Sequence, residues 1–186
     1  ASIAASTLVT WSTPRPEFAG RYLADIAAEL GVEAAAAIDL LQPAGAIYFM
    51  MDEADVERIL AYPETMVGSD GLPHDLFPHP RLWGAFPRVL GHYARERKLF
   101  PLETAVHKMT GLSAGRFGLA GRGLVRPGYA ADLVVFDPDT VADTATFAKP
   151  VSPAAGIVSV FVNGVESWTA GGHTGARAGA AIRRGR

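Results

Sequence analysis

Apolar residues recur at helical spacing near the start of the chain, form unbroken runs in the middle, and fall into short strand-like segments towards the end. Thr7 to Trp11 is a short β-like run leading into Pro14 and Pro16. Phe18, Tyr22, Leu23, Ile26, Ala27 and Leu30 then follow a 3.6-residue period as far as Gly31, which predicts an amphipathic helix. A second, alanine-rich helix is predicted from Glu33 to Gln42, ended by Pro43. Ala46-Ile47-Tyr48-Phe49-Met50-Met51 is apolar without a break, the pattern of a strand buried on both faces of an α/β layer. A helix is predicted directly after it, with Asp52 as cap, Asp55 adding negative charge to the first turn, and Val56, Ile59 and Leu60 as the apolar stripe. Thr65-Met66-Val67 predicts a further strand that presents Asp70. Strand, helix and strand within about twenty-five residues read as one right-handed βαβ unit, the repeat of a parallel barrel.

Beyond a proline-rich loop ending at Arg81, Phe86, Val89, Leu90 and Tyr93 mark one helix. Pro101 stands at the first position of another, which carries Leu102, Ala105, Val106 and Met109 and is expected to stop at Gly111. From Leu119 the pattern turns to β and turn. Ala131 to Asp137 reads as a strand closed by Pro138, and Gly156 to Val162 as another that enters an Asn163-Gly164 hairpin and returns through Val165 to Trp168.

Composition narrows the function classes. With 186 residues, 49% of them hydrophobic, and a formal net charge of -2, the chain has enough apolar side chains for one sizeable core or two small ones. Nothing in that charge balance calls for nucleic acid or an anionic membrane as a partner. Arg177, Arg183, Arg184 and Arg186 make a basic tail over residues 171–186, read as a solvated end without function. There is no cysteine, hence no disulfide framework, and the cytoplasm is the expected compartment. Neither a signal peptide nor a membrane span is read from the first twenty residues or from any apolar run.

The candidate chemistry centres on Asp70 in Gly68-Ser69-Asp70-Gly71. A carboxylate just past the end of a buried strand, with glycines clearing space around it, is where barrel enzymes place acid/base groups. Ser-Asp-Gly is equally ordinary turn chemistry. The five histidines, at 74, 79, 92, 107 and 173, form no His-x-His and no His-Glu-x-x-His motif. His74 and His79 share a loop made rigid by Pro73, Pro78 and Pro80, which works against their chelating one metal ion. His92 and His107 fall on predicted helices and His173 in a glycine-rich turn, positions of ordinary surface or core histidines. Tyr48, Phe49, Met50, Met51, Phe77 and Trp83 are either core or the lining of a substrate pocket.

Longer segments are more specific than any of these motifs. PAGAIYFMMDEADV, GSDGLPHD, PHPRLWGAFPRVLGHY, FPLETAVHKMTGLSAGRFGLAGRG and GYAADLVVFD resemble the C-terminal part of the D-aminoacylases, the N-acyl-D-amino-acid deacylases of the amidohydrolase superfamily. The resemblance implies an α/β fold: the C-terminal fragment of a (β/α)8 barrel with a lid insertion over residues 1–45, the last barrel units over 46–117, and part of a small β-sandwich domain over 118–170. It implies Asp70 as the catalytic residue, which takes a proton from the attacking water and delivers it to the leaving amine. It also implies Asp70 as a metal-side ligand, and Zn²⁺ as the cofactor, since zinc polarises the scissile carbonyl and lowers the pKa of bound water from about 15.7 to about 7. Arg81 is implied as the grip on the substrate's α-carboxylate, by a fork of parallel hydrogen bonds. The alternative for Arg81 is a surface pair with Asp75. The expected partners are a small N-acyl-D-amino acid and the missing N-terminal part of the same protein, which would bring the His-x-His strand and the other metal ligands. Two further readings stay open: a non-catalytic remnant acting as an association module, and a cyclic-amide hydrolase of the same superfamily, which shares GYAADLVVFD but is not expected to share GLPHDLFPHPR.

Overall fold

Thr7–Ser12 forms β1, a strand buried along nearly its whole length, whose neighbours in sequence fold back onto it. Pro16–Phe18 makes a single tight turn, and α1 (Leu23–Leu30) and α2 (Ala34–Leu41) follow as a helical pair. The chain then returns as β2 (Ala44–Tyr48), antiparallel to β1, with Leu8 opposite Ile47 and Val9 opposite Ala46. Val9, Phe18, Leu23, Ile26, Ala27, Ala37 and Leu41 pack into one core beneath this ribbon. The helical pattern therefore predicts α1 and α2 correctly, although Phe18 and Tyr22 lie before the first helix. The structure, a computed structural model, describes residues 3–182. Arg183, Arg184 and Arg186 of the expected basic tail lie outside the described residues.

The ladder between β1 and β2 is interrupted between Val9 and Trp11. A bulged residue loses its ladder partner. Thr10 is that residue, and its carbonyl accepts the backbone N–H of Phe77 at 2.9 Å. The bulge thus anchors the proline-rich loop that carries the candidate site.

Two compact units divide the chain, and their segments interleave: Ala1–Glu53, Asp70–Trp83 and Ala145–Ser152 make the first, and Ala54–Ser69, Gly84–Thr144 and Pro153–Arg186 the second. In the second, α3 (Glu53–Ala61) is followed by the segment leading to Asp70. Later come the greater part of α4 (Arg81–Arg88), whose first three residues belong to the first unit, a π-helical stretch Val89–Glu96, α5 (Leu102–Met109) and α6 (Gly111–Phe117). Pro87 withdraws a backbone donor inside α4, and the following turns take the wider π spacing. Val89, Leu90, Tyr93, Ala94, Phe100, Ala105 and Val141 form this unit's core. β3 (Leu133–Phe136), β4 (Ile157–Val162), β5 (Val165–Thr169) and β6 (Gly172–His173) make one antiparallel sheet in chain order. Its central hairpin turns at Asn163 and Gly164, both with positive φ (48° and 80°), as an Asn-Gly turn requires.

Three expectations are corrected. The run Ala46 to Met51 is not a doubly buried parallel strand: β2 stops at Tyr48, only Ile47 in it is buried, and Met50 and Met51 are 81% and 72% exposed. Its partner is β1, antiparallel to it, and the core packs chiefly against β1, where Thr7, Leu8, Val9 and Thr10 are all buried. No strand forms over Thr65 to Asp70, because a parallel strand exists only as one member of a ladder and no described strand runs beside that segment. Helical structure does not end at Gly111 either. The break falls at Thr110 (φ -130°, ψ -88°), after which α6 runs on to Phe117.

What holds the segment before Asp70 is Lys108. This lysine is 1% exposed, and its Nζ donates to the carbonyls of Tyr62, Pro63 and Thr65 at 2.5, 3.4 and 3.3 Å. The Lys108 carbonyl in turn accepts the N–H of Val67. Burial holds the ammonium below the usual lysine range, since leaving water disfavours its charge. The backbone of 62–67 is thereby ordered by a side chain rather than by a sheet.

Candidate active site

Asp70 and Arg81 are brought together by a loop that folds back on the start of α4. Asp70 adopts φ +47°, the left-handed region where Asp is one of the few non-glycine residues found. At the adjoining Gly71 a Cβ would stand 2.9 Å from Leu82 Cα, so only glycine lets the loop pass this close to the helix. The result is an ion pair, with Arg81 Nη2 2.7 Å from Asp70 Oδ2. Asp70's side chain is 80% exposed and Arg81's 38%. A pair this open to water adds about 0–1 kcal/mol at most, so stability is not what it supplies.

The expected alternative, an Arg81–Asp75 surface pair, is overturned. Asp75 has only 7% of its side chain exposed, and it faces His74, whose Nε2 stands 3.3 Å from Oδ1 without hydrogen-bond geometry. Asp75 Oδ1 and Arg81 Nε are both buried without a hydrogen-bond partner. Arg81 therefore offers Asp70 one nitrogen and keeps a second donor uncommitted.

His79, weighed in the sequence only as a chelating partner of His74, joins this cluster instead. Its Nδ1 accepts the backbone N–H of Arg81 at 3.0 Å, and its ring meets Phe147 edge to face, with centroids 5.0 Å apart. Burial first, and the Arg81 charge second, hold its pKa below the usual histidine range, while Asp70 pulls the other way. Phe147 continues to Phe49 at 4.7 Å, and Phe49 to Tyr22 at 6.1 Å. The sequence offered no sign of this backbone contact by His79, and Phe147 carried no signal at all.

The remaining candidates stay apart from this cluster. His92 pairs with Glu96 at 3.2 Å, His107 lines an apolar trough in the second unit, and His173 accepts an N–H from Gly175. Tyr48, Met50 and Met51 are exposed rather than core. Among the described residues, no three of His, Cys, Asp and Glu are placed to hold a metal ion. Zinc sites need three or four protein ligands, so Asp70 can contribute one oxygen but the residues present do not make a zinc site by themselves. No described helix is long and apolar enough to cross a membrane.

The chain belongs to the amidohydrolase family, whose profile matches residues 17–167. It is 64% identical over 182 residues to a D-aminoacylase of Alcaligenes xylosoxydans xylosoxydans, a match that takes in 98% of this chain and 38% of that protein. It superposes on the crystal structure of a D-aminoacylase with a TM-score of 0.90 at 65% identity, covering 94% of this chain and 37% of the other. It likewise superposes on the N-acyl-D-glutamate deacylase of Bordetella bronchiseptica, solved with zinc and a phosphonate mimic of the tetrahedral intermediate, with a TM-score of 0.87 at 58% identity over 88% of this chain and 34% of that one. The resemblance read from the sequence is borne out, and so is the α/β class. The chain spans less than two-fifths of the length of these relatives.

Proposed function

We propose that this chain is the C-terminal part of a metal-dependent hydrolase that removes the acyl group from N-acyl-D-amino acids, with Asp70 as general base and Arg81 as the receptor for the substrate's α-carboxylate. The observation that carries the reading is the 2.7 Å contact between Arg81 Nη2 and Asp70 Oδ2. It puts a proton-accepting carboxylate within one hydrogen bond of a cation shaped to hold another carboxylate. An entering substrate carboxylate takes over the guanidinium, as bidentate pairing favours, and Asp70 is left next to the bound molecule. Water adds to the amide carbonyl as Asp70 accepts its proton. The C–N bond then breaks with return of that proton to nitrogen, giving a carboxylate and a free D-amino acid. Asp70 would also lend one oxygen to a metal whose other ligands come from elsewhere in the protein. In this reading residues 1–45 act as a lid, 46–117 as the last barrel units, and 118–170 as part of a β-sandwich.

The test is Asp70→Asn in the full-length protein that carries this chain. Asparagine tolerates the left-handed backbone as well as aspartate does, so the substitution removes the base and leaves the turn in place. The expected result is a fall in kcat of about 10²–10⁴-fold with the thermal midpoint unchanged. Near-normal turnover would remove Asp70 from the reaction.

A further inference from the structure

Arg81 opens α4, and the first N–H groups of a helix have no helical acceptor. In this structure one residue supplies acceptors to two of them. His79 Nδ1 accepts from the Arg81 N–H at 3.0 Å, and the His79 carbonyl accepts from the Leu82 N–H at 3.0 Å. Nδ1 is attached to Cγ, where the side-chain oxygen of an asparagine or aspartate sits when it closes the same i to i+2 turn. The histidine adds what neither of those can: a flat ring that Phe147 meets edge-on at 79°, with Phe49 edge-on behind Phe147 at 68°. Acceptor and ring together allow the Arg81 backbone one direction.

We propose that His79 is a positioning residue for substrate binding, the side-chain cap that aims Arg81 at the α-carboxylate. It touches no reacting atom and acts through Arg81. The inference rests on the reading of Arg81 as the carboxylate receptor.

The two parts of the histidine are separable by substitution. His79→Phe keeps the ring against Phe147 and loses the acceptor; His79→Asn keeps the acceptor and loses the ring. In the full-length protein carrying this chain, both variants and Arg81→Ala are assayed on an N-acetyl-D-amino acid and on the same compound with its carboxylate amidated. A lost cap hydrogen bond corresponds to roughly a fivefold change, from about 1 kcal/mol against 1.4 kcal/mol per tenfold. His79→Phe is therefore expected to raise KM about fivefold on the acid, with kcat within about twofold and no change on the amide. His79→Asn should return KM most of the way to that of the unaltered enzyme. An unchanged KM in His79→Phe, an equal rise on both substrates, or an Asn variant no better than the Phe variant overturns the proposal. Arg81→Ala separates the two layers of the argument. If it does not weaken the preference for the acid over the amide, the carboxylate-receptor reading fails first and His79 has nothing to aim.

Discussion

Asp70 and Arg81 form an ion pair in this structure, and in the proposed reading the substrate separates them before either acts. That requirement shapes what Arg81→Lys should do. Lysine restores the charge but not the fork, so it can hold either the aspartate or the substrate without the geometry to exchange one for the other. KM should rise on N-acyl-D-amino acids more than kcat falls, and discrimination between D and L substrates should weaken; equal losses on acid and amidated substrates in a steady-state comparison would refute the clamp. His79 gives a second residue-level expectation. Its folded pKa is lowered from the ordinary value of 6.5, by burial foremost. Below 6.5 the unfolded chain takes up a proton that the folded one resists, so stability falls as pH drops from 6.5 towards the folded value and gains nothing above it. Thermal midpoints measured at pH 7.5 and 5.5 should therefore differ more in the unaltered protein than in His79→Asn. The resemblance made Asp70 and Arg81 legible, because each sits in a long matching segment. His79 was not legible, because its role is a bond to a backbone N–H two residues on, and any histidine before a helix looks the same on paper.

At the level of elements, period alone predicted the helices and the hairpin, since α1, α2, α5 and the Asn163-Gly164 turn depend on local spacing and turn residues. It misassigned the strands around the site, since a strand is defined by its neighbour. β2 looked like a barrel strand until β1 proved to be its partner, and Thr65 to Asp70 has no described strand beside it. α6 was hidden by Gly111, which reads as a stop and here begins a helix. Lys108 had no signature either. A lysine on an amphipathic helix is ordinarily solvated, yet this one is buried and ties together three carbonyls of the segment that ends at Asp70. Lys108→Met fits a similar volume and takes the ammonium from those carbonyls, of which Tyr62's still accepts the N–H of Thr65. We expect a loss of about 1–3 kcal/mol in the full-length protein, read from the denaturant midpoint, with proteolysis appearing first near residue 62. A midpoint shifted by less than about 0.5 kcal/mol would mean that water replaces the ammonium at no cost, and that the segment is held by something else.

On the scale of the whole molecule, large apolar side chains stand at the surface of both units. Met50, Met51 and Val125 are largely exposed, the sheet shows Val134, Val135 and Val158 to solvent, and an apolar trough of about 700 Å³ lies open between α5 and β3 in the second unit. Exposed apolar area on this scale marks a surface that ordinarily meets another. The relatives that match nearly all of this chain have more than half their length outside the match. Residues 1–186 expressed alone should accordingly self-associate, and with no cluster of metal-ligating side chains among the described residues they should retain no stoichiometric zinc after dialysis. They should also release no amino acid from an N-acetyl-D-amino acid. Light scattering, metal analysis and a deacylation assay on one preparation test all three. In the proposed reading, co-refolding with the unmatched part of the Alcaligenes D-aminoacylase would supply the remaining surface and ligands, and activity that appears only then, and disappears again with Asp70→Asn, would tie the chemistry to this chain's aspartate. A monomer that binds zinc one to one and turns over substrate unaided would show instead that the 186 residues hold a complete site.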